Sequence, residues 1–183
     1  MNITVIPTAK DINESDIKDK IVLVIDVLRA TSTIVTALDN GAKKILPVLN
    51  VQEAIDYKKS AKKIILLSFL NLNSASKIVE YEENIVIVCA GTNDCFSIDD
   101  GVCAGALIYN LRKNNMRKVN DMGLAYLTLY ENTRHNLHNL ISQCHHYKIL
   151  ENIGCQSDLE YCLKQNILNI VPIYKDGYII KYQ

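Results

Sequence analysis

Four runs of apolar residues divide the first half of the chain into predicted strands. They are KIVLVID at residues 20–26, KILPV at 44–48, KIILLSF at 63–69 and NIVIVCA at 84–90. Runs that are apolar on both faces are typical of a parallel sheet covered by helices on both sides. Pro47 confines the second run to a strand end or a sheet edge, because proline donates no hydrogen bond to a neighbouring strand.

The segments between these runs carry helical patterns and helix-ending signals. We predict helices over residues 31–38, 51–60, 71–82 and 98–112. Thr and Ser side chains are available to cap the first helix, and Asn40-Gly41 ends it. Residues 97–100, Ser-Ile-Asp-Asp, match a variant of the capping box. Residues 20–48 then form a βαβ unit, which we expect to be right-handed.

The second half of the chain has a different pattern. Leucines, a tyrosine and an isoleucine recur at helical spacing over residues 121–153, which predicts one or two helices and no strand. A short helix capped by Ser157 is predicted over 157–163. Residues 170–174 and 178–181 flank a Lys-Asp-Gly turn, which predicts a terminal hairpin. We therefore expect one α/β domain over residues 1–183, with a layered sheet, helices on both faces, a C-terminal helical stretch and a hairpin.

Composition narrows the class of protein. A length of 183 residues fits one domain, and 49% hydrophobic residues argue against disorder. Lys plus Arg and Asp plus Glu each total 20, which argues against a nucleic-acid partner. We find no apolar run of about 18 residues and no signal-peptide pattern, so we expect a cytoplasmic protein without a membrane partner.

The spacing of the cysteines and histidines gives only weak evidence for a metal site. The six cysteines include no Cys-x-x-Cys pair, so we expect most of them to be reduced and buried. His135 and His138 are three residues apart, and Cys144 is close in sequence. A metal cluster there is conceivable, but no known metal-binding spacing is present, and a polar helix surface is the favoured interpretation.

Two strand-to-helix junctions share a pattern that suits an anion. They read IDVLRATST from residue 25 and CAGTNDCFSIDD from residue 89. Ligands of open α/β sheets bind beyond the carboxyl ends of the strands, and a helix N-terminus offers free N–H groups to an anion. A phosphate or sulfonate could be held by the first junction through Arg29, Thr31, Ser32 and Thr33, and by the second through Gly91, Thr92 and Ser97.

Carboxylates lie at the same junctions. Asp26 ends the first strand, and Asp99 and Asp100 begin the helix after the second. Mg²⁺ is commonly held by one or two carboxylates together with substrate oxygens, and such a site suits phosphoryl transfer. Ser, Thr and Asp at helix starts are also ordinary caps, so spacing alone indicates an anion-binding α/β domain and leaves the capping interpretation open.

Longer segments carry a resemblance to a known family. VIDVLRATSTIVTALDNGAKKILPV at residues 24–48 and IVIVCAGTNDCFSIDDGVCAGALI at residues 85–108 closely resemble the 2-phosphosulfolactate phosphatases. Weaker matches are SFLN at 68–71, DLEYC at 158–162 and VPIYKDG at 171–177. All five run in family order along the chain.

The resemblance implies a Mg²⁺-dependent phosphatase that converts 2-phosphosulfolactate to 3-sulfolactate and phosphate, as in coenzyme M biosynthesis. It also implies an α/β fold with two similar halves. Carrying the motifs over by position, we assign Asp26, Arg29 and Asp100 as catalytic residues, Asp26, Asp99 and Asp100 as metal ligands, and Thr31, Ser32, Gly91, Thr92, Phe96 and Ser97 as substrate-binding residues.

The chain departs from the family in one place. Family members carry a GER-and-glycine motif, an NSP-like motif and a T-x-NGT motif before SFLN, and this chain has none of them. We infer that an internal segment is missing, with its junction near Ser60 and Ala61. The alternative function is therefore a catalytically impaired homologue that keeps only a small-anion-binding scaffold. A strand edge exposed by the missing segment would favour a homodimer.

Overall fold

The fold is built on one mixed sheet. The computed structural model describes residues 2–47, 63–112 and 118–182. Seven strands lie in the order β5-β1-β4-β2-β3-β6-β7. The first five in this order run parallel, β6 is antiparallel to β3, and β7 is antiparallel to β6. Their bounds are β1 Asn2–Ile6, β2 Ile21–Ile25, β3 Lys63–Leu67, β4 Asn84–Cys89, β5 Lys118–Val119, β6 Pro172–Lys175 and β7 Tyr178–Lys181.

Eight α-helices lie within the described ranges, so the predicted α/β class is confirmed. They are α1 Glu14–Ile17, α2 Ala30–Asp39, α3 Leu72–Val79, α4 Ile98–Arg112, α5 Asp121–Thr133, α6 Leu137–Ile141, α7 His145–Asn152 and α8 Gln156–Cys162. Two short 3₁₀ helices cover Ala9–Asp11 and Phe69–Asn71. No helix in this part of the chain is long and apolar enough to cross a membrane.

The helices that follow β2 and β4 lie on opposite faces of the sheet. Alternate side chains of a strand face opposite sides, and those of Ile21 and Leu23 share one apolar cluster with α4. Val24 faces the other side, where its neighbour in register, Leu66, packs against Val35 of α2. Adjacent parallel strands with helices on opposite faces create a crevice at their carboxyl ends, where ligands of such sheets bind.

Most predicted elements of the first half are confirmed, and one is wrong. The runs at 20–26, 63–69 and 84–90 are the strands β2, β3 and β4. Residues 44–47 form no strand, and Ile45 makes only a single bridge to Ile179 along the outer edge of β7. The second strand of the βαβ unit is β3, which pairs with β2 in parallel. Val48, the predicted helix over 51–60 and the junction near Ser60 lie outside the described residues.

The ends of the chain differ more from the predictions. The strands β1 and β5 were not predicted, because they are short and contain polar residues. Residues 121–153 form three helices, because turns separate α5, α6 and α7. The N-cap of α8 is Cys155, and Ser157 lies inside the helix, so the predicted cap was wrong. The C-terminal hairpin of β6 and β7 is confirmed.

The cysteines and histidines are placed as follows. All six cysteines are free, and Cys89, Cys103, Cys144 and Cys162 are buried, which confirms the prediction of reduced, mostly buried thiols. His138 packs edge-on against the Tyr147 ring, with centroids 5.9 Å apart. The described residues contain no three His, Cys, Asp or Glu side chains arranged to hold a metal ion.

Candidate anion-binding site

The Asp100 carboxylate joins the two junctions that the sequence singled out. Its Oδ1 accepts the backbone N–H of Val27 at 2.9 Å, and its Oδ2 accepts that of Gly91 at 3.0 Å. Val27 follows β2 and Gly91 follows β4, and these strands are neighbours in the sheet. The two segments are therefore parts of one site at the crevice between the strands, and a buried side chain fixes their spacing.

The hydroxyls of the first junction hold the loop together. Thr31 Oγ1 accepts the N–H of Asp26 at 3.0 Å and lies 2.8 Å from the Leu67 carbonyl at the end of β3. Ser32 Oγ donates to the Val27 carbonyl at 2.8 Å. Both side chains are buried, and these hydrogen bonds stabilise the start of α2.

The N-terminus of α2 is capped by an acid and not by Thr or Ser as predicted. The helix begins at Ala30, whose N–H donates to Asp26 Oδ1 at 3.0 Å. Thr31 and Ser32 thus lie in the first turn. A carboxylate at this position interacts favourably with the positive end of the helix dipole, which suits Asp26 to both capping and site chemistry.

A tight turn shapes the second junction. Thr92 and Cys95 exchange backbone hydrogen bonds of 2.9 and 3.1 Å, and the two residues between them have positive φ. Gly91 has φ +76°, and a Cβ there would lie 2.4 Å from the Cys95 carbonyl oxygen. Only glycine fits this position, and its N–H is thereby directed at Asp100.

Ser97 begins α4, although the predicted capping box does not form. Its carbonyl accepts the N–H of Gly101 at 3.0 Å, so Ser97 is the N-cap. Its hydroxyl donates to Asp99, whereas the Asp100 carboxylate reaches across to the other junction. The adjacent Phe96 is 60% exposed and extends from the site into solvent.

Three carboxyl groups share this small volume. Asp99 and Asp100 are buried and Asp26 is partly buried. Burial raises the pKa of all three, most strongly that of Asp100, where the charges of Asp99 and Asp26 add to the effect. His146 and local hydrogen bonds act in the opposite direction on the pKa of Asp26 and of Asp99. The site therefore disfavours the charged carboxylates, and a bound cation would offset this effect.

The donor atoms suit a hard cation such as Mg²⁺ at two of the three acids. Both Asp100 oxygens are occupied by backbone N–H groups. Asp26 accepts the Ala30 N–H through Oδ1, and Asp99 accepts the Ser97 hydroxyl through Oδ1 and backbone N–H groups of its own helix turn. Mg²⁺ is usually held by one or two carboxylates and completes its shell with waters and substrate oxygens, so this pair fits it.

One cavity opens at each of the two junctions. The first, of about 370 Å³, lies between α2 and α8, and the second, of about 240 Å³, lies between the 92–97 loop and α7. The first is lined by Arg29, Ser32, Thr33, Thr36, Ala37, Asn40, Asp158, Tyr161 and Cys162. The second is lined by Thr92, Cys95, Phe96, Ser97, Ile98, Cys144, His145 and His146. Some of the sequence-predicted residues line a cavity: Arg29, Ser32 and Thr33 line the first, and Thr92, Phe96 and Ser97 line the second. The linings of these two cavities do not include Asp26, Thr31, Gly91, Asp99 or Asp100.

Arg29 has a protein partner in the first cavity. Its guanidinium forms an ion pair with Asp158 of α8 and lies 3.5 Å from the Cys155 sulfur. The side chains of Arg29 and Asp158 are 36% and 50% exposed, so the pair is accessible to solvent. Asp158 belongs to the weakly matching DLEYC segment, and its pairing with Arg29 was not foreseen.

His146 is a second residue that sequence reasoning missed. Its Nδ1 lies 3.1 Å from Thr92 Oγ1, across 54 residues of sequence. The Thr92 hydroxyl was predicted to bind substrate, and here it also contacts an imidazole from α7. The His145-His146 pair begins a helix that carries no motif, so only the folded chain brings this ring to the site.

Comparison with known proteins identifies the family. The sequence model described as 2-phosphosulpholactate phosphatase matches residues 6–63 and 54–177. The chain belongs to this family. The resemblance found in the sequence is therefore confirmed, and with it the assignment to a family of phosphatase enzymes.

Curated relatives match over almost their whole length. A probable 2-phosphosulfolactate phosphatase of Clostridium novyi is 33% identical over 227 aligned positions, which cover 94% of this chain and 96% of the relative. Proteins of the same description from Clostridium tetani and Clostridium beijerinckii are 32% and 29% identical, and 98% of this chain is covered in each case. The two long family motifs contain the residues that the structure brings together around Asp100.

Proposed function

We propose that this chain is a Mg²⁺-dependent phosphatase that hydrolyses 2-phosphosulfolactate to 3-sulfolactate and phosphate. The observation that carries the proposal is the joining of the two family motifs by Asp100 beside a cluster of buried carboxyl groups. The names of the relatives support the substrate. A step in coenzyme M biosynthesis and a cytoplasmic location follow from the same resemblance and belong to this proposal.

Each group has a task that its position suits. Phosphoryl transfer depends mainly on positioning and on neutralising charge. Asp26 and Asp99 would hold Mg²⁺, which supplies positive charge to the phosphate oxygens when it is bound. Asp100, whose oxygens are both engaged, would fix the two loops and not take part in proton transfer.

Arg29 is the side chain suited to the second negative group of the substrate. A guanidinium binds phosphate or sulfonate through several N–H groups at once, and the ion pair with Asp158 is open to solvent. We propose that the substrate displaces Asp158 and takes its place on Arg29. The sulfonate and the phosphate would then occupy opposite sides of the carboxyl cluster, one toward each cavity.

The deciding experiment is phosphate release from 2-phosphosulfolactate by the purified chain. We expect release that requires Mg²⁺, stops on chelation and falls at least a hundredfold in Asp26→Asn. Asp121→Asn, at an exposed position in the first turn of α5, is the matched control and should keep full activity. No release above background from 2-phosphosulfolactate and related phospho-acids would refute the proposal.

One observation favours the second candidate, a small-anion-binding scaffold without turnover. The alignment with the Clostridium novyi relative spans 227 positions against 183 residues here, so at least 44 positions lie opposite gaps in this chain. A segment missing from the chain would remove residues that the relatives carry. This candidate predicts that calorimetry detects binding of orthophosphate or 3-sulfolactate while no phosphate is released. Absence of both binding and thermal stabilisation would exclude it.

A further inference from the structure

The C-terminal helices contribute a side chain that neither long family motif contains. His146 lies in the first turn of α7 and lines the cavity beside the 92–97 loop. Three of the predicted substrate-binding residues, Thr92, Phe96 and Ser97, line the same cavity. The ring is therefore placed among groups assigned to the substrate, although it lies 46 residues or more from the acids in sequence.

Its electrostatic effect reaches the carboxyl cluster. The charge of His146 acts to lower the pKa of Asp26 and of Asp99, against the larger effect of burial. Arg29 is paired with Asp158 and lines the other cavity. A phosphate group in the second cavity would thus meet His146 and not Arg29.

The contact with Thr92 leaves one ring nitrogen for a ligand. Nδ1 lies 3.1 Å from Thr92 Oγ1, and Nε2 has no hydrogen-bond partner among the described residues. The bond at one imidazole nitrogen fixes the ring and its tautomer. When Thr92 donates to Nδ1, the proton is on Nε2, which then acts as a hydrogen-bond donor at the cavity.

We propose that His146 is a substrate-binding residue of this site, which donates a hydrogen bond from Nε2 to a phosphate oxygen, with Thr92 as its positioning residue. The inference deepens the proposed function and rests on it for the identity of the substrate. The contact with the anion needs no turnover, so it can be tested by binding alone.

Two amide substitutions separate the two ring nitrogens. The amide nitrogen of His146→Gln comes near the position of Nε2, whereas that of His146→Asn comes near the position of Nδ1. We expect His146→Asn to weaken binding of orthophosphate at least tenfold, measured by calorimetry with Mg²⁺ present, because a hydrogen bond to a charged group is lost. His146→Gln should stay within about threefold of the unaltered chain. His135→Gln, at an exposed position, is the control and should change nothing.

Two further measurements distinguish binding from structure. The ring nitrogens of ¹⁵N-labelled His146 should shift in NMR spectra when orthophosphate is added, and Thr92→Val should reduce that shift. With 2-phosphosulfolactate, His146→Asn should raise KM more than it lowers kcat, and far-UV circular dichroism should show an unchanged fold.

The outcomes separate this inference from the proposed function. Equal weakening by both amide variants, no weakening by either, or no binding of orthophosphate by the unaltered chain would each overturn the role of His146. Phosphate release with unchanged binding and KM in His146→Asn would leave the proposed function standing and remove only the inference. Orthophosphate binding that depends on His146, without any phosphate release, would support the role of His146 and refute the proposed function.

Discussion

Replacement of Asp100 by alanine should loosen the crevice, because one side chain holds both of its loops. The carboxylate accepts the N–H groups of Val27 at 2.9 Å and Gly91 at 3.0 Å, and Asp100 is 2% exposed. A buried donor left without a partner costs about 1–3 kcal/mol. Two such donors give an expected loss of about 2–6 kcal/mol in the free energy of unfolding. Asp100→Asn keeps one acceptor oxygen, so we expect about half of that loss.

The loss should be larger at pH 5 than at pH 8. Burial and the neighbouring acids raise the pKa of Asp100 well above its usual value, so the folded chain keeps this proton where the unfolded chain has released it. The folded state of the unaltered chain therefore loses stability as pH rises from about 4 toward that raised pKa. Alanine removes this pH-dependent penalty, which offsets part of the lost hydrogen bonding at high pH.

Urea unfolding followed by far-UV circular dichroism at both pH values measures these effects. The control is Asp121→Ala, at an exposed first-turn position of α5, where we expect a loss of at most about 1 kcal/mol. A loss below about 1 kcal/mol for Asp100→Ala at pH 5 would refute the role of these two bonds. A loss that grows between pH 5 and pH 8 would refute the raised pKa.

Three further substitutions test other contacts. Gly91→Ala should lower the free energy of unfolding in urea at least twice as much as Gly154→Ala, for which we expect a loss of roughly 1 kcal/mol. Both glycines have positive φ, but only at Gly91 would an added Cβ clash, at 2.4 Å from a carbonyl oxygen. Equal losses would contradict this. Gly105→Ala should lower the Tm, because the added Cβ would lie 2.1 Å from a carbonyl oxygen of α5. This clash should outweigh the higher helix propensity of alanine, which is worth about 1 kcal/mol. An unchanged Tm would argue against the close approach of the two helices. Asp158→Asn should change the free energy of unfolding by at most about 1 kcal/mol, because the ion pair with Arg29 is exposed to solvent. Calorimetry should show tighter orthophosphate binding, because Arg29 loses its partner. Unchanged affinity would show that Asp158 does not compete with the anion for Arg29.

The central strands could be predicted because each of them lies in the same apolar environment and therefore has the same apolar composition. β2, β3 and β4 have neighbours on both sides and are apolar at nearly every position, which marks them in the sequence. KILPV at 44–48 has a similar composition, but Pro47 offers no N–H, and Ile45 makes only one bridge at the outer edge of β7. Apolar content therefore identifies the middle of this sheet well and its margin poorly.

The site was predictable only where its chemistry lies next to a strand. Asp26 directly follows β2, and Asp100 lies in the first turn of the helix after β4, so the parallel strand ends bring them to one edge. Asp158 and His146 come from helices that carry no strand signal, and they meet Arg29 and Thr92 across 129 and 54 residues. Contacts over such separations depend on how the C-terminal helices pack, which no local pattern records.

A segment missing from this chain would shorten the connection between α2 and β3 and leave the sheet that holds the site unchanged. The two family matches overlap at residues 54–63, whereas β2 pairs directly with β3 and β4 over five residues each. A segment lost from that connection would leave the junctions joined through Asp100. Orthophosphate binding without phosphate release would therefore agree with a catalytic defect in that connection. Loss of both binding and release would place it in the junctions themselves.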